Sequence, residues 1–97
     1  MAGPIQRPDL YVVARILETL CTRERRLGRT QLQLASGVNY SQFARYLDLL
    51  QQRGLVSLRA MDGGSESIEL TPRGYEAMMF IAKAIRDLLG DDYRKRR

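Results

Sequence analysis

The sequence predicts an α+β domain in which helices come first, one β-hairpin follows, and a long helix closes the chain. Three observations predict it. Apolar residues recur at helical spacing through early segments that are broken by a glycine turn at Gly37. From Leu55 the period shortens to two, breaks at Asp62, Gly63, Gly64 and Ser65, and resumes through Leu70. A second helical pattern then runs from Pro72 to Leu89. At 97 residues the chain makes one domain with a small core, for which burial by a partner chain is a noticeable gain.

Taken in order, residues 1–8 hold two prolines and no periodicity, and are expected to form a loose arm. Asp9 is placed to cap a helix from Leu10 to Arg26, with Val13, Ile16, Leu17, Leu20 and Cys21 as its inward stripe and Leu27 closing its end. Arg15, Glu18, Thr22, Arg23 and Arg25 fall outside that stripe. Arg23, Arg25 and Arg26 cluster at the helix end, where the macrodipole favours cations whether or not a polyanion is near. Gly28 and Arg29 then link to the stretch around which the chain is organised, Thr30 to Val56. Here a short helix capped by Thr30 ends at Ser36, turns at Gly37, and gives way to a second helix from Asn39 to Gly54. Asn39 can cap that helix and Gln42 can return the bond in a capping box, while Gly54 supplies the left-handed residue past its end. Phe43, Leu47 and Leu50 mark its buried face; Tyr40, Ser41, Gln42, Arg45, Asp48 and Gln52 face outward. This is a helix-turn-helix, whose second helix has the dimensions to enter a DNA major groove.

In the hairpin, Val56 and Leu58 share a face and stand opposite Ile68 and Leu70. Thr71 caps the last helix, with Pro72 at its favoured first position. The run Ala77 to Ala82 is apolar on every side, so this helix should be buried on two faces. Tyr75, Met79 and Ala82 are assigned to the domain's own core. Met78, Ile81, Ile85 and Leu88, spaced three, four and three, are assigned to a heptad seam with a second copy. Buried within its own monomer, the helix would need no partner. Beyond Gly90 lies a basic tail, residues 91–97, ending Arg94, Lys95, Arg96, Arg97.

Composition narrows the function. One cysteine and no histidine rule out an intramolecular disulfide, a Cys/His zinc site and nucleophile–histidine catalysis. Glu66/Glu69 and Asp91/Asp92 sit in surface segments and read as solvated charges. No enzyme, cofactor or metal is expected. No apolar run reaches membrane-spanning length and the N-terminus lacks a signal peptide's apolar centre, so a cytoplasmic protein is expected. The net charge is +5 with a pI near 9.9, and all but two of the 16 basic residues are arginine (the lysines are Lys83 and Lys95). Such a domain attracts polyanions, and arginine forks suit phosphate and guanine.

Helix, helix-turn-helix, hairpin and helix is the layout of a winged helix. The segment QLASGVNYSQFARYLDLLQQRGLVSL, the hairpin, and then ELTPRGYEAM resemble archaeal winged-helix DNA-binding proteins. The resemblance spans about Leu10 to Leu89 and is strongest to small basic dimeric members that end in a long dimerising helix. Its most specific pieces are Leu47 to Val56 and the LTPRG junction. It implies a three-helix core with a β-hairpin wing over residues 9–71, and a C-terminal helix, 72–90, that forms an antiparallel dimer. The implied partner is double-stranded DNA, and the alternative is a protein-interaction module docked in a larger assembly. For DNA, Arg29, Thr30 and Gln31 are the candidates for holding a phosphate at the start of the motif's first helix. Tyr40, Ser41, Gln42 and Arg45 are the candidates for reading bases. Arg59 and the Gly63, Gly64, Ser65 tip form the wing. Asp48, Asp62, Glu66 and Glu69 oppose this picture, so a weakly contributing wing is expected.

Overall fold

A computed structural model describes residues 7–23 and 26–90. The N-terminal arm before Arg7, Arg25 of the arginine cluster, the Asp91/Asp92 pair and the basic tail lie outside the described residues. The elements are helix α1 (Leu10–Thr22), strand β1 (Arg26–Gly28), helix α2 (Arg29–Ser36), helix α3 (Tyr40–Gln52), strand β2 (Val56–Ala60), a 3₁₀ turn (Asp62–Gly64), strand β3 (Glu66–Leu70) and helix α4 (Pro72–Leu89).

Helix α1 starts where expected, with the Asp9 carboxylate accepting from the Tyr11 amide at 2.9 Å. It stops four residues early. Thr19 and Thr22 turn their hydroxyls back on the Arg15 and Glu18 carbonyls, a habit of Thr that weakens a helix end. Arg26, expected in this helix, opens β1 instead. Strand β1 pairs antiparallel with β3, and β3 with β2, in the order β1-β3-β2. Leu27 therefore meets Ile68 across the sheet, as Leu58 does from the other side.

No linker separates β1 from α2. Gly28 ends the strand and, at ψ 162, is also the N-cap of the helix, so the expected Thr30 cap gives way to a residue with no side chain. Gln31 compensates by accepting the Gly28 amide on its side-chain oxygen at 3.0 Å. The helix ends at Gly37 with φ 73, and the turn is tied by Gln33, whose Nε2 donates to the Val38 carbonyl at 2.6 Å. Asn39 caps α3 as expected, accepting from the Gln42 amide at 2.9 Å. At the other end the Leu55 and Gly54 amides return to the Leu50 and Gln51 carbonyls at 2.9 and 3.0 Å, the paired bonds of a Schellman motif, with Gly54 at φ 75.

Ile16, Leu17, Leu20, Leu32, Phe43, Leu47, Leu50, Val56 and Ile68 are fully enclosed, and Cys21 packs half-buried at their margin. Tyr46 joins them. It follows Phe43 by three residues, so the same spacing that marked Leu47 and Leu50 also marks it. Its ring is buried and its hydroxyl accepts from the Asp9 amide at 2.8 Å, tying the entry of α1 to α3.

The last helix keeps Tyr75 and Ala82 against the core, as expected, but also turns inward residues that were assigned elsewhere. Met78 and Ile85, assigned to a seam between copies, are 6% and 7% exposed and belong to the domain's own core with Ala82. Ile81 is half-buried against the same core. Met79, assigned inward, is exposed, and of the four seam residues Leu88 alone is open, at 82%. The reason is that α1 packs along α4, and a stripe facing a helix of its own chain has the same spacing as one facing a partner's helix. The outer face of α4 now carries Met79, Phe80, Ala84 and Leu88, with Phe80 78% exposed.

Candidate nucleic-acid interface

Helix α3 is split cleanly between two surroundings. Phe43, Tyr46, Leu47 and Leu50 are locked inside, while Tyr40, Ser41, Arg45, Asp48 and Gln52 stand in solvent and Gln42 is half-buried. Tyr40 is 63% exposed at the first position of the helix, beside its open N-terminal end. Ser41 lies close to the cap, its Oγ 3.3 Å from Asn39 Oδ1. Asp48, which opposes a phosphate-facing role, accepts from Gln52 Nε2 one turn further along at 3.1 Å. The polar stripe is a continuous surface on a helix whose other side cannot shift without opening the core.

At the start of α2, Thr30 and Gln31 are exposed, and Gln31 spends its side-chain oxygen on the Gly28 amide. Arg29 donates from Nε to Glu66 Oε1 at 3.3 Å, and both side chains are partly open to solvent. This pair joins the helix-turn-helix to the base of the wing. Sequence spacing gave no hint of it, because the partners are 37 residues apart.

The wing is short. Its tip is closed by the Met61 amide donating to the Ser65 carbonyl at 2.8 Å and the Gly64 amide to the Met61 carbonyl at 3.2 Å. Gly63 and Gly64 have φ 84 and 85, a conformation other residues rarely adopt. Met61, Asp62, Gly63, Gly64 and Ser65 are all exposed, and no cation sits among them. Arg59 is exposed on the outer sheet face, opposite Ser67. Glu69 shares that face and stands directly across from Arg26 on β1. Glu66 and Glu69 thus face Arg29 at the start of α2 and Arg26 on the strand before it.

A family model described as winged helix-turn-helix matches residues 6–88. The chain belongs to the winged helix-turn-helix family. Among curated proteins none shows significant sequence similarity. Several solved structures share its fold. Sso10a-2, a DNA-binding protein from Sulfolobus solfataricus, is 24% identical with a TM-score of 0.72, over 82% of this chain and 80% of that one. The transcriptional regulator BldR from the same organism is 23% identical with a TM-score of 0.70, over 81% of this chain and 57% of its own. A MarR-family transcriptional regulator from Silicibacter pomeroyi is 28% identical with a TM-score of 0.64, over 86% of this chain and 60% of its own. The chain thus spans less than two thirds of the two regulators. Among the described residues, this winged helix has no cluster of acids, cysteine or histidine able to hold a metal, and no helix long and apolar enough to cross a membrane.

Proposed function

We propose that this winged helix binds duplex DNA as a homodimer, placing α3 in the major groove, and acts as a transcriptional regulator or a nucleoid-associated chromatin protein. The observation that carries the reading is the exposed polar stripe of α3, backed by four side chains buried in the core. Sso10a-2 and BldR, described as a DNA-binding protein and a transcriptional regulator, share the fold. Arg29 and Thr30 serve the phosphate backbone, with Gln31 beside them; Tyr40, Ser41, Gln42 and Arg45 face the bases. Arg59, Gly63, Gly64 and Ser65 add a weak wing contact, because the tip carries no cation to grip a phosphate.

The second copy sits on the outer face of α4. Phe80, Ala84 and Leu88 follow one another at intervals of four, a large–small–large series that is its own complement about a two-fold axis at Ala84. An antiparallel crossing there sets Phe80 of each copy against Leu88 of the other and removes both from solvent. Of the expected seam, Leu88 keeps its place and Ile81 flanks it.

The test is titration of random duplex at rising salt. Phosphate contacts give a log–log slope of about −0.9 for each phosphate neutralised. Flat or absent binding points instead to a protein-docking winged helix and rejects the proposal. With a selected target, Gln42→Ala and Arg45→Ala are each expected to cost about 1–3 kcal/mol of discrimination between bases. Sequence preference that survives both substitutions assigns the reading to another surface.

A further inference from the structure

The ion pair between Arg29 and Glu66 lies where the proposed function requires a free cation. Arg29 occupies the first position of α2, a helix whose N-cap is a glycine and so offers no side chain to the open amides of its first turn. Glu66 begins β3 at the root of the wing and shares a strand face with the buried Ile68 and Leu70, which directs it toward α2 and not toward the outer sheet. The contact is made by Nε alone at 3.3 Å. Both terminal nitrogens of the guanidinium remain without a hydrogen bond among the described residues.

We propose that Glu66 is a stand-in for phosphate: in the free protein its carboxylate occupies Arg29, and on DNA binding the arginine exchanges it for a backbone phosphate. The proposal rests on the DNA-binding reading and adds a device that sets affinity. A carboxylate presents two oxygens to a guanidinium much as a phosphate does, so one arginine rotamer family serves both partners. The pair is exposed, so its loss on binding is a small cost that solvent largely screens. Since Arg29 must give up Glu66 before it takes a phosphate, the pair lowers affinity for DNA in general. Specific sites overcome it through base contacts made by α3, which do not involve Arg29. Glu66 thus holds down binding to all DNA by one factor, specific sites included, and leaves the ratio between them to the base contacts of α3.

The experiment titrates random duplex into the full chain at several salt concentrations, for the wild type, Glu66→Gln, Arg29→Gln and the double variant. Glu66→Gln is expected to tighten binding about three- to fivefold, the range of an exposed ion pair, with the salt slope unchanged. Arg29→Gln should reduce the slope by about 0.9, one phosphate contact. In the Arg29→Gln background, Glu66→Gln should change affinity by less than about half of its effect alone. A gain from Glu66→Gln that is undiminished without Arg29 overturns the exchange, because the glutamate would then act only as a diffuse negative charge. Weaker binding by Glu66→Gln overturns it too, since the carboxylate would then be holding Arg29 in its working position. If the wild type shows no salt-dependent binding, the DNA reading itself fails, a separate outcome. Unchanged melting curves confirm that all four proteins share one fold.

Discussion

Gly74→Ala is expected to cost about 3 kcal/mol or more, through a clash the backbone cannot relieve. A Cβ at Gly74 would lie 1.9 Å from the Leu55 carbonyl oxygen and 2.8 Å from Leu70 Cδ1. The approach is this close because Thr71 sews three segments together. Its amide donates to the Leu55 carbonyl at 3.2 Å, and its hydroxyl lies 2.7 Å from the Gly54 oxygen and 3.0 Å from that of Leu55 while accepting from the Gly74 amide at 2.9 Å. To admit a methyl group, the first turn of α4 must leave the end of α3, and these bonds stretch with it. A loss of about 3 kcal/mol lowers the melting temperature of a domain this size by roughly 12–20 °C. Calorimetry or thermal circular dichroism checks it. A melting point within a few degrees of wild type would mean that α4 does not dock as described.

Phe80→Glu is expected to turn a dimer into a monomer and to reduce DNA affinity by about 10²–10⁴, the advantage of two linked sites over one. Phe80 is 78% exposed in the protomer, so its replacement removes little of the fold's own packing. Two glutamates facing the Leu88 side chains across a two-fold axis would instead be buried unpaired. Light scattering should give twice the protomer mass for wild type and the protomer mass for the variant. Melting should depend on protein concentration in the first and not in the second. A wild type that scatters as a monomer sinks the dimer. Ile85→Glu does not serve this purpose, because Ile85 lies in the protomer's own core and the variant would unfold it.

The sequence announced most of the architecture wherever a residue's role is local. Asn39 and Thr71 cap their helices, Gly37 and Gly54 adopt left-handed backbone, and Phe43, Leu47 and Leu50 are buried, each read from its immediate neighbours. What escaped depends on residues far away in the chain. Strand β1 is three residues long, too short to show a period, and exists because β3 offers an edge. The Gly28 cap follows from that strand. The inner face of α4 could not be chosen from spacing, since α1 and a second copy ask for the same pattern. Of the site, the exposed stripe of α3 was legible as the complement of its buried one. Glu66 was visible only as an awkward acid, because the arginine that answers it comes from another part of the chain.

Gly28 belongs to a strand and a helix at once, and this has a mechanical result. Sheet and helix-turn-helix are welded at that residue, with no linker between them to bend, and cannot splay apart there like the jaws of a flexible clamp. If α3 takes up a duplex as proposed, so rigid a gauge leaves the duplex to adjust in groove width or curvature. Sequences that deform easily would then be favoured even at base pairs no side chain reaches.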